Sequence, residues 1–347
     1  MINRYCWLPV GGKDNASSRL RCFNLHEYFI ENGINSKIGY NKSSNMSIIQ
    51  KRLDCKALLF SYLSWKNGSR VILDIDDLNP GSIDWVIRIK LFANIVDGIT
   101  AATDGQLKII KDQLSIKQRS RISFFSFENP IDYSAGIVKY TNSKKVNNKI
   151  NTVCWFGNSG TFNVYIEVEI VLKTGCRFLI ISDKNPMENN ADVDFIAWNR
   201  LNFPIEFAKK VDICILSHYG SGVSMAKSAN KMVASIALEV PVIASKTPAY
   251  SGVAQLCGAS GFLYNDTQDF QLILKRLMDS SERERYIDIA KPRIIDKFSI
   301  SSVSLGLDIW CKKLQKKTKN IFNYILVVIY LCLVGVYNKS IAFLWKK

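Results

Sequence analysis

The sequence predicts an α/β protein built on parallel sheets, and three observations lead to that class. Residues 5–40 and residues 211–244 each show an apolar run, a glycine-containing loop, a helical stretch and a second apolar run. This strand–loop–helix–strand order is the repeating unit of a parallel sheet. The length of 347 residues is sufficient for two domains, and a content of 48% hydrophobic residues indicates a globular chain.

The chain carries a net charge of +16, which indicates an anionic partner such as nucleic acid, anionic lipid or an anionic substrate. Lysines cluster at 143–149 and 312–319, but no zinc-finger, RNA-recognition or basic-zipper pattern accompanies them. We therefore expect nucleotide phosphates and a membrane as partners, and no nucleic acid.

Nine cysteines are scattered along the chain without a C-x-x-C pair, and several lie in apolar runs. This pattern predicts reduced core residues in a cytosolic compartment, with neither a disulfide framework nor a metal site. The N-terminal segment MINRYCWLPVGG has no apolar signal-peptide core.

The first half of the chain opens with a predicted strand at Tyr5–Val10, a turn at Gly11 and Gly12, and a helix. Further strands are predicted at Ala57–Tyr62 and Arg70–Leu73. In the second half, the aromatic spacing predicts a helix at Phe195–Arg200 with Trp198 in the core.

The segment from Val211 to Tyr250 organises the second half. Its apolar runs at Val211–Leu216 and Val242–Ala244 predict two buried strands. Between them lie a loop, His218–Ser224, and a helix. His218 is a candidate base in that loop.

The start of this helix is suited to a diphosphate. Backbone N–H groups are unpaired at a helix start, and the macrodipole is positive there. Lysine side chains add cations, and Ser228 or Asn230 can cap the helix. The residues expected at the phosphates are Gly220, Gly222, Lys227, Ser228, Asn230 and Lys231. A lysine-flanked surface loop without a ligand is the alternative interpretation.

Several segments resemble GT-B glycosyltransferases, specifically the large retaining family 4. The run at 227–231 (KSANK), followed by 237–245 (ALEVPVIAS), is similar to the helix start and the Pro-Val-Ile-Ala-Ser turn of that family. Three further segments match family patterns: 97–104 (DGITAATD), 128–132 (ENPID) and 261–266 (GFLYND).

The resemblance implies a GT-B fold, with two doubly wound Rossmann-like domains facing each other across a cleft. It implies retaining, metal-independent transfer of a sugar from a nucleotide-sugar donor to a glycan or polyprenyl-linked acceptor. No cofactor is expected beside this co-substrate. The strand and loop at 152–160 resemble the start of the donor domain, which adds Gly157 to the donor site. Gly11, Gly12 and Arg19 are expected on the acceptor side.

The chain departs from the family at three positions. Two glutamates that hold the donor in many members fall on Ala226 and Ala234 when the segments are aligned on Pro241, and a common glycine falls on Glu239. A degenerate GT-B protein that binds a nucleotide or a partner without turnover therefore stays open as an alternative.

Asp74 and Asp77 follow the predicted strand Arg70–Leu73, at the end where parallel sheets bind ligands. Three interpretations are open: an Asp-x-Asp metal site of the GT-A type, the nucleophile motif of a haloacid-dehalogenase phosphatase, and an acidic loop lining an acceptor site. We favour the third, with a structural turn or helix cap as its alternative.

The expected organisation is an acceptor-side domain at 1–139, a linker at 140–151, a donor domain at 152–300, a basic crossing helix at 301–319 and a tail at 320–347. The tail contains an apolar run, Ile321–Tyr337, preceded by lysines and flanked by aromatic residues. This pattern predicts attachment to a membrane, either across it or along its interface. The expected location is the cytoplasmic face of the bacterial inner membrane, in synthesis of surface polysaccharide.

Overall fold

The computed structural model describes residues 4–132, 152–218 and 222–344, with side chains as far as Val334. The chain divides into two compact units. Unit 1 consists of Met1–Asn129 and Ile300–Lys347, and unit 2 consists of Pro130–Ser299. The predicted linker at 140–151 lies outside the described residues.

Among the described residues, unit 1 contains a parallel sheet of six strands in the order β2-β1-β3-β4-β5-β6. The strands are β1 (Arg4–Leu8), β2 (Asn35–Ile38), β3 (Met46–Gln50), β4 (Arg70–Asp74), β5 (Gly98–Ala101) and β6 (Ser123–Ser126). The connecting helices are α1 (Ala16–Ser18), α2 (Asn24–Glu31), α3 (Cys55–Lys66), α4 (Ile83–Ala93), α5 (Asp104–Gln113) and α6 (Ile116–Arg121). Because β1 lies between β2 and β3, the chain winds outward from it in both directions, which is the doubly wound arrangement.

Unit 2 repeats this arrangement with six described strands in the order β12-β11-β10-β7-β8-β9. The strands are β7 (Thr152–Gly157), β8 (Arg177–Ser182), β9 (Val193–Ala197), β10 (Ile213–Leu216), β11 (Val242–Ser245) and β12 (Leu263–Tyr264). The helices are α7 (Tyr165–Lys173), α8 (Phe203–Lys210), α9 (Asn230–Ala237), α10 (Pro248–Leu256), α11 (Thr267–Leu277) and α12 (Ser280–Phe298). β10 and β11 are buried throughout, as continuous apolar runs in a parallel sheet require.

The chain ends with two helices that belong to unit 1, α13 (Ile300–Lys313) and α14 (Ile321–Leu344). Leu307 and Cys311 of α13 join the core formed by Tyr5 and Trp7 of β1. The Tyr5 hydroxyl also donates a hydrogen bond of 2.6 Å to the Asp308 carboxylate. Among the described residues, the helices include none with both the length and the hydropathy needed to cross a membrane.

Two secondary-structure predictions are wrong. Ala57–Tyr62 lies within helix α3 and is not a strand, because the Asp54 side chain caps the helix by accepting a 2.9 Å hydrogen bond from Ala57 N. A short apolar run fits a strand and a helix equally well when its periodicity is unclear. The strand that pairs with β4 is instead β3, which the sequence analysis missed.

The predicted helix at Phe195–Arg200 is the second wrong prediction. The chain there forms the end of edge strand β9, and the following helix, α8, begins at Phe203. Trp198 is not a core residue, because 41% of it is exposed. Its ring packs on one side against Phe203, with centroids 4.4 Å apart.

A buried ion pair holds the segment between α13 and α14 to unit 1. Lys319 Nζ lies 2.6 Å from Asp97 Oδ2, and both side chains are almost fully buried. Asp97 also accepts hydrogen bonds of 2.7 Å from the backbone N–H groups of Val71 and Lys317. The carboxylate therefore connects strand β4 to the terminal segment.

We predict that Lys319→Met lowers the free energy of unfolding by about 3 kcal/mol, because the buried Asp97 charge loses its only side-chain cation among the described residues. Lys313→Met is the matched control, since Lys313 is exposed, and its effect should stay below about 0.5 kcal/mol. Urea denaturation of both variants measures the difference. Equal effects would show that the Lys319 pair does not stabilise unit 1.

Candidate functional site

Two predicted donor residues meet at the carboxyl edge of the sheet in unit 2. Gly157 ends β7, and Lys231 lies in the first turn of α9. A Cβ atom added at Gly157 would overlap the Nζ atom of Lys231. The amine also lies over the Trp155 ring, 4.8 Å from its centroid. The glycine therefore leaves the space that the lysine amine occupies.

The Lys231 amine is half-buried, and burial lowers its pKa to about 8. The positive charge of Lys227 lowers the pKa in the same direction. Neither lysine forms an ion pair with a carboxylate among the residues that the structure describes. A desolvated cation without an internal counter-charge is stabilised by an anion from outside, such as a phosphate.

His218 follows strand β10 and lies near the same two lysines. Its backbone N–H donates a 2.8 Å hydrogen bond to Ser245 Oγ, and its ring stacks on Tyr250 with centroids 5.3 Å apart. Burial, followed by the charges of Lys231 and Lys227, lowers the pKa of His218 to about 4. The imidazole is therefore neutral at pH 7 and has a nitrogen lone pair that can accept a proton.

Two buried polar atoms near the strand ends of unit 2 have no hydrogen-bond partner among the described residues: Ser217 Oγ and Asn163 Oδ1. Ser217 directly follows β10 and is 5% exposed. Asn163 lies in the loop that follows β7. Buried polar groups normally have partners, so both atoms have unused hydrogen-bonding capacity near the strand ends.

The loop after β7 is held by Asp183, which follows the neighbouring strand β8. The carboxylate accepts a 2.7 Å hydrogen bond from Ser159 N and a 3.0 Å bond from Ser182 Oγ. The hydrogen bond from Ser159 N is the main cause of the lowered pKa of Asp183. The loop conformation is thus set by side chains outside the predicted donor set.

The other predicted phosphate residues lie before or at the start of α9. Lys227, Ser228 and Asn230 are half-buried, and the N-cap position is Ala229, so neither Ser228 nor Asn230 caps the helix with its side chain. Gly222 is exposed with φ +63°. Gly220 lies outside the described residues.

The three positions that differ from the family 4 pattern lie in the same unit. Ala226 is buried before α9, and Ala234 is half-buried within it. Glu239 has φ +62°, a left-handed conformation in which glycine is most easily accommodated. Its carboxylate pairs with Lys291 of α12.

In unit 1, the two aspartates predicted together have different environments. Asp74 is fully buried, and its oxygens accept hydrogen bonds from Arg21 Nε (2.8 Å), Arg21 Nη2 (2.6 Å) and Thr100 Oγ1 (2.7 Å). Burial lowers the pKa of the Arg21 guanidinium, but the adjacent carboxylate more than compensates, so its net pKa is raised. This paired carboxylate has a structural role and does not reach a surface where a phosphoryl group or acceptor could bind.

Asp77, by contrast, is two-thirds exposed and lies 2.7 Å from Lys51 Nζ. It lines a cavity of about 620 Å³ at the ends of β3 and β4. Lys51 reaches it from a left-handed backbone conformation, φ +58°, which is uncommon for a residue other than glycine. Asp77 is therefore the accessible member of the predicted acidic loop.

Of the predicted acceptor residues, Gly11 and Gly12 lie in the loop after β1, and Arg19 is buried beneath it. Gly11 N donates a 3.0 Å hydrogen bond to Ser18 Oγ, and Gly12 is exposed. Arg19 Nη1 donates a 3.1 Å hydrogen bond to the Lys13 carbonyl. Arg19 thus stabilises the loop through this hydrogen bond and is itself buried.

The sequence analysis missed several residues of these sites. Trp155 was predicted only as part of a strand, and Tyr250 only as the end of the segment that begins at Val211, although their rings contact Lys231 and His218. Their positions in the sequence could have indicated this role, since both aromatic residues lie within or next to the segments that predict the donor site. Among the described residues, no group of three or more His, Cys, Asp or Glu side chains is arranged to hold a metal.

Comparison with solved structures identifies the fold. No protein-family model matches the chain, and no curated protein matches it by sequence. The Anabaena protein Alr3699/HepE in complex with UDP has a TM-score of 0.64 at 11% identity, covering 90% of this chain and 100% of that one. A glycosyltransferase from Rickettsia africae has a TM-score of 0.61 at 10% identity, covering 92% and 100%.

A third structural neighbour is the E. coli trehalose-6-phosphate protein bound with UDP-2-fluoro glucose, with a TM-score of 0.59 at 12% identity, covering 89% of this chain and 80% of that one. These neighbours are GT-B glycosyltransferases. The α/β GT-B part of the predicted fold is confirmed, with two parallel six-stranded sheets among the described residues. The membrane-associated C-terminal helix is not supported by these comparisons and stays a prediction.

We predict that His218 titrates near pH 4 and that Lys231→Met raises its pKa, because the variant removes a neighbouring positive charge. Between the ordinary value of 6.5 and about 4, the unfolded chain binds the proton and the folded chain does not. His218 therefore lowers the free energy of unfolding as the pH falls through that range. NMR titration is practical because the chain contains only two histidines.

Lys184→Met is the control for this titration, since Lys184 is an exposed lysine of unit 2. Its substitution should leave the pKa of His218 unchanged, and His26 should be unaffected by either variant. An unchanged His218 titration in Lys231→Met would contradict the placement of the two side chains in one site.

Proposed function

We propose that the protein is a glycosyltransferase that moves a sugar from a nucleoside-diphosphate sugar to a hydroxyl of a glycan or polyprenyl-linked acceptor. The observation that carries this proposal is the half-buried Lys231 amine beside Gly157 at the carboxyl edge of the unit 2 sheet. GT-B neighbours with UDP or a UDP-sugar analogue support the choice of donor class.

The diphosphate would bind beside the start of α9, where Lys231, Lys227 and unpaired backbone N–H groups converge. In the reaction, the bond from the sugar C1 to the β-phosphate oxygen breaks, and C1 forms a bond to the acceptor oxygen. The leaving diphosphate takes the electron pair, and the acceptor hydroxyl passes its proton to an oxygen of that diphosphate. The two lysines would stabilise the negative charge that develops on the leaving group.

We further propose that transfer retains the anomeric configuration and needs neither a metal nor a cofactor. Two lysines take the place of a divalent cation as the counter-charge of the diphosphate. The net charge of +16 and the apolar C-terminal segment support a setting at the cytoplasmic face of a bacterial inner membrane, in the synthesis of surface polysaccharide. Asp77, with the Gly11–Gly12 loop, would lie on the acceptor side.

A second candidate function is binding of a nucleotide sugar without turnover. It is favoured by Ala226 and Ala234, which replace the two carboxylates that hold the donor in many family 4 members. Retained nucleotide binding with neither transfer nor donor hydrolysis would distinguish this function from catalysis.

We predict that UDP raises the melting temperature of the protein and that Lys231→Met reduces its affinity for UDP about tenfold or more, because a charge-assisted contact to phosphate is lost. Thermal-shift titration measures the effect. EDTA should not change it. Lys184→Met is the control and should bind like the wild type.

If every nucleoside diphosphate tested fails to raise the melting temperature, the donor-site assignment is wrong. A response that requires magnesium and survives Lys231→Met would equally move the site away from α9.

We also predict that affinity for UDP declines as the pH rises above about 8, where the free Lys231 amine loses its proton. The charged form of the Lys231 amine is the form that binds a diphosphate, so binding raises the pKa of this amine. Above about pH 8, binding is therefore accompanied by uptake of protons. Calorimetry in buffers of different ionisation enthalpy measures this proton uptake. Equal affinity at about pH 7 and about pH 9 would exclude contact between Lys231 and the diphosphate.

A further inference from the structure

Helix α14 presents a continuous apolar face to solvent. All the exposed side chains between Ile321 and Leu333 are apolar. They are Ile321, Phe322, Ile325, Leu326, Val328, Ile329, Cys332 and Leu333. At 100° per residue these eight positions occupy one side of the helix. Phe322 and Leu333 remain 67% and 64% exposed, respectively.

The opposite face of α14 is fixed to unit 1, so the apolar face cannot turn inward. Tyr324, Val327 and Leu331 are buried. The Tyr324 ring stacks on Trp65 of α3, with centroids 5.3 Å apart. The Tyr330 hydroxyl donates a 2.8 Å hydrogen bond to Asp84 of α4.

The charges around this face match an anionic surface. Residues 321–334 of α14 include no charged residue. Before it, Lys312, Lys313 and Lys316 are exposed. An exposed apolar face of a helix, with lysines close in sequence, can bind along the surface of anionic lipid bilayers.

The cavity that Asp77 lines opens beside this helix. Asp84 and Arg88 line the cavity, and the same two side chains contact Tyr330, with the guanidinium over the phenol ring. Leu326 and Leu333, at helical spacing from Tyr330, lie on the adjacent edge of the apolar face.

The lining of the cavity suits a hydroxyl-rich group. Its cations are paired with carboxylates within it: Lys51 with Asp77, Arg52 with Asp54, and Arg88 with Asp84. A cavity with balanced charge does not select an anion. Its carboxylates accept hydrogen bonds from hydroxyls, its guanidinium groups donate them, and Trp85 offers an apolar ring.

We propose that the apolar face of α14 lies in the surface of a membrane containing anionic lipids, and that the cavity beside it binds the sugar end of a glycolipid anchored in that membrane. The second part rests on the proposed function, since this glycolipid would be the acceptor. The volume of about 620 Å³ is sufficient for one or two sugar rings.

Vesicle flotation of the full chain tests the membrane surface without substrate or turnover. The probe is phosphatidylcholine vesicles with or without about 30% phosphatidylglycerol. The wild type should float with the anionic vesicles, and the double variant Leu326→Glu/Ile329→Glu should bind them at least about tenfold more weakly. The control is Leu201→Glu/Leu272→Glu, whose positions in unit 2 are also exposed; it should bind like the wild type. Wild-type protein that does not float, or a double variant that floats equally well, would overturn the proposal that the apolar face of α14 binds a membrane.

The oligomeric state of the protein without lipid tests whether a second copy of the chain, instead of a membrane, covers the apolar face of α14. A wild-type dimer that becomes a monomer in Leu326→Glu/Ile329→Glu would show that a second copy of the chain covers the face, and would overturn the proposal. A monomer in both cases supports it.

The cavity is tested with a panel of octyl glycosides of common hexoses, below their critical micelle concentrations, by saturation-transfer NMR. At least one should bind, about tenfold more tightly than its methyl glycoside, and Trp85→Ala should abolish the binding while leaving flotation unchanged. If none of the octyl glycosides binds, or Trp85→Ala binds normally, the cavity is not the sugar site. Because neither experiment needs nucleotide, both stay informative if UDP fails to bind.

Discussion

Parallel pairing places the carboxyl ends of all strands in a sheet on one edge, and the candidate sites of this chain depend on that constraint. In unit 2, Gly157 ends strand β7 and His218 follows strand β10, and these strands are neighbours in the sheet order. In unit 1, Lys51 and Asp77 follow the neighbouring strands β3 and β4. Parallel pairing therefore brings residues that are far apart in sequence to the same edge of the sheet.

The presence or absence of a carboxylate partner distinguishes the buried cations with a structural role from the cation that can bind a ligand. Arg21 pairs with Asp74, and Lys319 pairs with Asp97, each as a buried ion pair with further hydrogen bonds to the carboxylate. Such pairs fix the fold of unit 1 and leave no capacity for a ligand. Lys231 has a lowered pKa because its burial is uncompensated within the described residues.

The sequence was sufficient to predict the α/β fold and the strand–loop–helix–strand unit at 211–245, because both depend on local pattern. The apolar runs of β10 and β11 and the punctuation by Pro241 define a parallel unit from sequence alone. It could not show that Asp74 is buried by Arg21, since that pair joins residues 53 positions apart. The strand predicted within α3 was wrong because α14, which is distant in sequence, packs against α3. The residues of α3 that contact α14 obscure the amphipathic pattern of the helix in the sequence.

The alanines at 226 and 234 and the unpaired lysines are two aspects of one arrangement. A glutamate at either position would place a carboxylate near Lys227 or Lys231 and supply part of the counter-charge from within the chain. With alanine there, burial of the Lys231 ammonium is relieved only when an anion binds, so phosphate contributes more of the counter-charge. For the donor proposed above, affinity should therefore depend strongly on the diphosphate and weakly on the sugar hydroxyls. It also makes Trp155 important, because its ring presents partial negative charge to the Lys231 amine at 4.8 Å from the centroid, nearer than the Phe156 ring at 5.9 Å.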